Sequence, residues 1–168
     1  MTHKVLWIED GAYGDLPDLI GPVVVEGSYD LDIALDATEG VRKILHTEYD
    51  CVIVDIRLPP GEDRRWIDIY NHPNKNKDAA RLGLLVLRSL LKPEKSSVKL
   101  DGIKEWVEVS RFGVLTVENQ GEVENDLSEL GIGMKVYRQK NRSPSVNTLL
   151  ELIKEVIKQP RERGRAHV

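Results

Sequence analysis

The run from Cys51 to Gly61 reads Cys-Val-Ile-Val-Asp-Ile-Arg-Leu-Pro-Pro-Gly. Four apolar residues, three of them β-branched, pass directly into the carboxylate of Asp55, and turn-forming residues follow. An apolar run of this length closed by Pro and Gly reads as a strand buried on both faces, the signature of a parallel sheet. Asp55 then leaves the core at the carboxyl edge of that sheet, where open α/β folds place their chemistry. An acid there serves equally well as a turn cap, so the other strand exits must decide.

Lys4–Ile8 is a second buried run and ends in Glu9-Asp10-Gly11. Pro17 and Pro22 make any helix between Ala12 and Gly27 short or broken, although Leu16, Leu19, Ile20 and Val23 mark an apolar side. Tyr29–Leu35 alternates and suits a strand nearer the sheet edge. Thr38–Thr47 has helical spacing with Asp36 or Thr38 as N-cap. Glu62–Asp78 is polar and too long for an ordinary strand-to-helix loop, which makes it an insertion. Ala79–Leu91 is a helix stopped at Lys92-Pro93. A second extra piece, Glu94–Ser110, suits either a short helix capped by Asp101 and carrying Ile103, Trp106 and Val107, or a strand over Trp106–Val109. Phe112–Val117 is a strand and Glu122–Leu130 a helix closed by Gly131. Met134–Arg138 is the last strand. Ser143-Pro144-Ser145 opens a final helix whose stripe is Val146, Leu149, Leu150, Ile153, Val156 and Ile157. Strands alternating with helices give a doubly wound, five-stranded parallel sheet with helices on both faces.

If the strand order is 2-1-3-4-5, the first and third strands are neighbours at the switch point. Glu9, Asp10 and Asp55 then converge. Carboxylates crowded in this way repel one another and call for a cation. A hard, oxygen-seeking ion such as Mg²⁺ or Mn²⁺ suits them and leaves room for a phosphoryl oxygen. Thr116, ending the fourth strand, offers a hydroxyl, and Lys140, past the fifth, a point positive charge for the remaining phosphoryl oxygens. Asp55, leaving the central strand, is the natural nucleophile.

With these residues in place, the chain resembles a response-regulator receiver domain of two-component signalling, with insertions around the third helix. The resemblance rests on Val5-Leu-Trp-Ile-Glu9-Asp10, on Tyr49-Asp-Cys-Val-Ile-Val-Asp55-Ile-Arg-Leu-Pro59, on Gly83-Leu84, on Val114-Leu-Thr116, and on Tyr137 and Lys140 three residues apart. It covers nearly the whole chain except the two extra pieces and implies a flavodoxin-like fold. It further implies that Asp55 accepts a phosphoryl group from a histidine kinase or phosphotransfer protein. Asp10, Asp55 and the Arg57 backbone carbonyl would bind Mg²⁺ directly, with Glu9 acting through water. Thr116 and Lys140 would hold the phosphoryl group, and Tyr137 would swing inward when Thr116 is drawn to it; the plainer reading of Tyr137 is an edge-strand aromatic with one side packed. The sequence departs from the family at Val117, where a small residue is usual and a branched one narrows access. It departs again at Asn141, where proline is common. Arg57 and Glu118, each two residues beyond a site residue, are placed to pair across the mouth and modulate hydrolysis.

Other features limit the alternatives. A net charge of −4 argues against a dedicated nucleic-acid binder, and the signs in the first insertion nearly balance. There Arg64, Arg65, Lys75, Lys77 and nearby Arg81 face Glu62, Asp63, Asp68 and Asp78. A solvated flap with Trp66 and Ile67 tucked down is the default for that piece; a partner-recognition or site-covering element is the sharper reading. The lone Cys51 lies inside an apolar run and is expected to act as a small hydrophobe. His3, His46, His72 and His167 show no metal-ligand spacing. With no apolar run long enough to span a bilayer and no signal-peptide pattern, the expectation is a cytoplasmic receiver-like domain over 1–160 with a charged tail over 161–168. Its output would be protein–protein binding to an unknown partner or homodimerisation, without nucleic acid or membrane. It would not be an enzyme. Two rivals stand beside the phosphorylation switch: a phosphorylation-independent receiver-like binding module, and an aspartyl-phosphate phosphohydrolase. The second needs an aspartate two residues after the nucleophile, where this chain has Arg57.

Overall fold

The computed structural model describes residues 2–72, 81–140 and 145–161. The strands are β1 (His3–Ile8), β2 (Tyr29–Ala34), β3 (Cys51–Val54), β4 (Phe112–Thr116) and β5 (Tyr137–Gln139). They form one sheet in the order β2-β1-β3-β4-β5, every pair parallel. The helices are α1 (Ile20–Glu26), α2 (Ala37–His46), α3 (Arg64–Tyr70), α4 (Leu82–Leu91), α5 (Gln120–Glu129) and α6 (Thr148–Lys158). α1 packs with α6 and α2 with α4, so both faces of the sheet are covered. All of β3 and β4, and Val5–Ile8 of β1, are buried, as continuous apolar runs demand in a parallel sheet. β2, at the edge, is only half-buried. Cys51 is a free, buried thiol whose pKa burial pushes well up, which suits a packing role. Among the described residues, no helix is long and apolar enough to cross a membrane.

Local chemistry explains most of the boundaries. Pro17 opens a single 3₁₀ turn, and α1 runs only to Gly27, whose φ of 75° ends it in the left-handed region. Asp36, not Thr38, caps α2 by accepting from the Glu39 amide at 2.8 Å. The Thr38 hydroxyl instead donates to the Pro60 carbonyl at 2.7 Å and accepts from the Asp63 amide at 2.9 Å. Asn119 caps α5.

Four expectations need correction. The first insertion contains a helix: α3 is capped by Asp63 and drives Trp66 fully into the core, with Ile67 half-buried beside it. Residues 73–78 of that insertion, and the start expected for the next helix at Ala79, lie outside the described residues. The second extra piece is neither helix nor strand over 101–107. It is irregular, and Trp106 is held by the guanidinium of Arg111 at 5.6 Å from its ring centroid and by the edge of Tyr49. That cation stacking and the Arg111 donation to the Tyr49 carbonyl at 2.9 Å replace a regular element. β5 begins at Tyr137, because Met134–Val136 forms a 3₁₀ turn first. Finally, α6 starts at Thr148, leaving Val146 outside the helix and exposed, while Leu149, Leu150, Ile153 and Val156 are buried and Ile157 is half-buried. Of the proposed tail, Arg161 pairs with Asp50 at 2.7 Å; residues 162–168 lie outside the described residues.

Candidate functional site

The register brings the acids together. Ile8 of β1 stands opposite Val54 of β3, so Glu9 and Asp55 leave the sheet side by side, and the Asp55 amide donates to the Ile8 carbonyl at 3.1 Å. One carboxylate oxygen from each of Glu9, Asp10 and Asp55 lies within 4.8 Å of the others. Glu9 and Asp55 are buried, at 1% and 2% exposure, while Asp10 is open to solvent. Burial pushes the Glu9 carboxyl up to about 7; the charge of Asp55 adds to this, and Lys140 opposes it.

Lys140 reaches this group from the end of β5. Its Nζ donates to Glu9 Oε1 and, at 2.9 Å, to Asp55 Oδ2. Burial alone would depress the ammonium's pKa, but the facing carboxylates outweigh it and raise it. The second oxygens are satisfied locally: Gly11 N–H donates to Glu9 Oε2 at 3.0 Å and Arg57 N–H to Asp55 Oδ1 at 3.2 Å. A cleft of about 360 Å³ opens over these groups and is lined by Glu9, Asp10, Gly11, Asp15, Leu16, Asp55, Arg57, Val117 and Lys140. Val117 stands exposed in its wall.

Thr116 is fully buried, and its hydroxyl accepts from the Glu118 amide at 3.4 Å, placing it beside the β4–α5 turn and outside the cleft lining. Tyr137 is buried at 7% exposure, and its hydroxyl donates to the Glu118 carbonyl at 2.6 Å. The edge-strand reading of Tyr137 as an aromatic with one side packed therefore understates its contacts. Arg57 Nε donates to Glu118 Oε1 at 2.9 Å, so the pairing expected across the mouth is present.

Gly83 entered the resemblance as part of a motif, but its packing role shows only in the structure, and Arg81 carried little signal in the sequence. Gly83, in the first turn of α4, lies against the exit of β3: a Cβ there would lie 2.0 Å from the Asp55 carbonyl oxygen and 2.7 Å from Ile56 Cα. Only glycine lets α4 press this close, and its N–H donates to the Ile56 carbonyl at 2.8 Å. Arg81, seen in the sequence as one more charge beside an insertion, is buried and grips Glu118 with Nε and Nη2, both at 3.2 Å. Those partners are separated by 37 residues, a distance no local pattern bridges.

The whole-chain architecture recurs in known structures. A response-regulator receiver domain from Methanospirillum hungatei superimposes with a TM-score of 0.57 at 20% identity, over 94% of each chain. A Francisella response-regulator receiver domain gives 0.58 at 17% identity, covering 94% of this chain and 98% of the other. The non-phosphorylated HemR receiver domain of Leptospira biflexa gives 0.58 at 18%, covering 95% and 98%. This chain has the receiver fold. No protein-family model and no curated protein sequence matches it. Within that fold the cluster of Glu9, Asp10, Asp55 and Lys140 occupies the switch-point edge. All the acidic donors are hard oxygens, and the buried, mutually repelling pair of Glu9 and Asp55 fits a divalent cation of the Mg²⁺ or Mn²⁺ kind.

Proposed function

We propose that this receiver-fold protein is a phosphorylation-dependent signalling switch in which Asp55 is the phosphoacceptor. The observation that carries this reading is the meeting of Glu9, Asp10, Asp55 and Lys140 in one cleft at the β1–β3 exits. An Asp55 carboxylate oxygen attacks phosphorus, and the bond from phosphorus to the donor's leaving atom breaks with its electron pair going to that atom. The donor is a phosphohistidine of a kinase or phosphotransfer protein, or a small acyl phosphate. Lys140 moves its hydrogen bond from the Asp55 carboxylate to a phosphoryl oxygen, and the Thr116 hydroxyl turns from the Glu118 amide toward another. Asp10, Asp55 and the Arg57 carbonyl would hold Mg²⁺ directly and Glu9 through water; the ion would offset phosphoryl charge as it develops. The likeness of the fold to response-regulator receiver domains supports this reading, and the output we propose is protein–protein binding.

A second reading has its own observation. Val117 stands exposed in the wall of the cleft over Asp55, where its branched side chain narrows access. That favours a binding module whose active shape does not wait for phosphorylation. Incubation with Mg²⁺ and acetyl phosphate, read by intact mass, separates the two. Stoichiometric addition of one phosphoryl group, lost without Mg²⁺ and in Asp55→Asn, supports the switch. Absence of any adduct, together with no tryptophan fluorescence response to beryllofluoride, supports the module and overturns the switch.

A further inference from the structure

Glu118 joins more of the site's parts than any sequence motif does. Its Oε1 accepts from Arg57 Nε at 2.9 Å and from Arg81 Nε at 3.2 Å, and its Oε2 accepts from Arg81 Nη2 at 3.2 Å. Its backbone carbonyl receives the Tyr137 hydroxyl. Two guanidinium groups thus share one carboxylate, and they differ in freedom. The Arg81 side chain is 8% exposed and is also tied to α5, through the Glu122 carbonyl at 3.4 Å, the Glu122 carboxylate at 3.5 Å and Asp126 at 3.8 Å. The Arg57 side chain is 54% exposed, lines the Asp55 cleft, and has the Glu118 carboxylate as its one salt-bridge partner among the described residues.

A carboxylate as buried as Glu118, at 2% exposure, is held ionised by its cationic partners. If Arg57 were its sole partner, moving Arg57 would strand that charge. Arg81 removes the constraint. A phosphoryl group on Asp55 brings roughly −1.5 to −2 of charge into the cleft two residues from Arg57. Arg57 can turn toward it while Arg81 keeps Glu118 paired, the β4–α5 turn seated and Tyr137 latched.

We infer that Arg81 is a positioning residue of the Asp55 site: it holds Glu118 and the Tyr137 latch, and so leaves Arg57 transferable from Glu118 to a phosphoryl group. The transfer rests on the phosphoacceptor reading; the hold on Tyr137 does not. Arg81 stands at the N-cap position of α4, the helix that packs on the Asp55 backbone.

Beryllofluoride with Mg²⁺ serves as the phosphoryl mimic, and the affinity is read by titration for the wild type, Arg81→Gln, Arg57→Gln and the double variant. Arg81→Gln ties Arg57 to Glu118, and the affinity is expected to weaken about tenfold, the loss of one charge-assisted hydrogen bond at a half-exposed position. Arg81→Gln added to Arg57→Gln is expected to weaken binding no further, because the effect runs through Arg57. Arg81→Lys, which keeps the charge without the fork, restores part of the affinity and replaces Arg81→Gln if that variant does not fold. An unchanged affinity in Arg81→Gln, or an equal loss in the Arg57→Gln background, overturns the transfer. The ligand-free protein gives an independent readout: the Tyr137 ring and Glu118 amide resonances shift in Arg81→Gln if Arg81 holds the latch, and unshifted resonances overturn it. Wild type that binds no beryllofluoride overturns the phosphoacceptor reading and the transfer with it, while the resonances still decide the latch.

Discussion

Lys140 faces two buried carboxylates, and its ammonium is the cation in direct contact with both. Replacing it by Met would leave Glu9 and Asp55 repelling each other at 2% and 3% side-chain exposure. Breaking a buried ionic group of this kind typically costs about 3–5 kcal/mol. In EDTA, Lys140→Met is therefore expected to lower the thermal midpoint by roughly 6–20 °C, at about 2–4 °C per kcal/mol for a chain of this size. Added Mg²⁺ should recover part of that loss, because an ion bound to the native carboxylates alone stabilises by mass action. A melt of Lys140→Met that matches the wild type in EDTA would contradict the arrangement. Gly83 offers a steric counterpart. Its missing Cβ is what lets α4 lie on the Asp55 backbone, so Gly83→Ala must push α4 back from the strand. Its expected signature is a loss of phosphoryl or beryllofluoride uptake larger than the loss of stability.

Among the elements, α3 shows how a polar stretch acquires structure. Asp63 caps it by accepting from the Arg65 amide at 2.9 Å, and the Arg65 guanidinium returns to the same carboxylate at 2.7 Å. That side-chain hydrogen bond is the main reason the Asp63 pKa is lowered, with slight burial opposing it. The contribution of a carboxylate with a depressed folded pKa is present above its unfolded value of about 4 and is lost as pH falls through the folded value. Asp63→Ala is thus expected to cost about 1 kcal/mol at neutral pH. The gap from wild type should close as the solution is acidified below pH of about 4. Urea unfolding across that range tests it, and a pH-independent difference would show that the cap acts without its charge. β5 gives the opposite lesson. The apolar spacing of Met134 to Val136 suits a strand, yet a 3₁₀ turn takes these residues, and the ladder begins only where Tyr137 pairs with Val114.

For the whole molecule, the question is whether the extra pieces belong to the folding unit. α3 sends Trp66 into the core at 0% exposure, and Arg65 donates to the Lys99 carbonyl at 2.7 Å, so the two extra pieces are tied to each other. The described part of the first is held down, with Trp66 tucked in as expected, and follows the turn over the N-terminus of α2, where the Thr38 hydroxyl bridges the Pro60 carbonyl and the Asp63 amide. Trp66→Ala is expected to cost about 3–5 kcal/mol, as for large aromatic truncations in a packed core. Unfolding should remain a single transition by both fluorescence and circular dichroism. A separate early transition, or a change under about 1 kcal/mol, would show that α3 lies outside the cooperative core.

The sequence by itself was enough to establish the sheet and to send Glu9, Asp10, Asp55 and Lys140 to one edge of it. Apolar β-branched runs ending in Glu9-Asp10, in Asp55, in Thr116 and just short of Lys140 are local signals. A parallel sheet must send such exits to one edge, so the order β2-β1-β3-β4-β5 then brought Glu9 beside Asp55. The pairing of Arg57 with Glu118 was also legible once that edge was assumed. What only the tertiary structure decided is the outer ring of the site. The grip of Arg81 on Glu118 and the inward Tyr137 join residues far apart in the chain through side-chain direction and burial. Periodicity and capping are written within a few neighbouring residues. A salt bridge across 37 residues, or a tyrosine hydroxyl seated on a backbone carbonyl, is settled by which surfaces meet when the layers close.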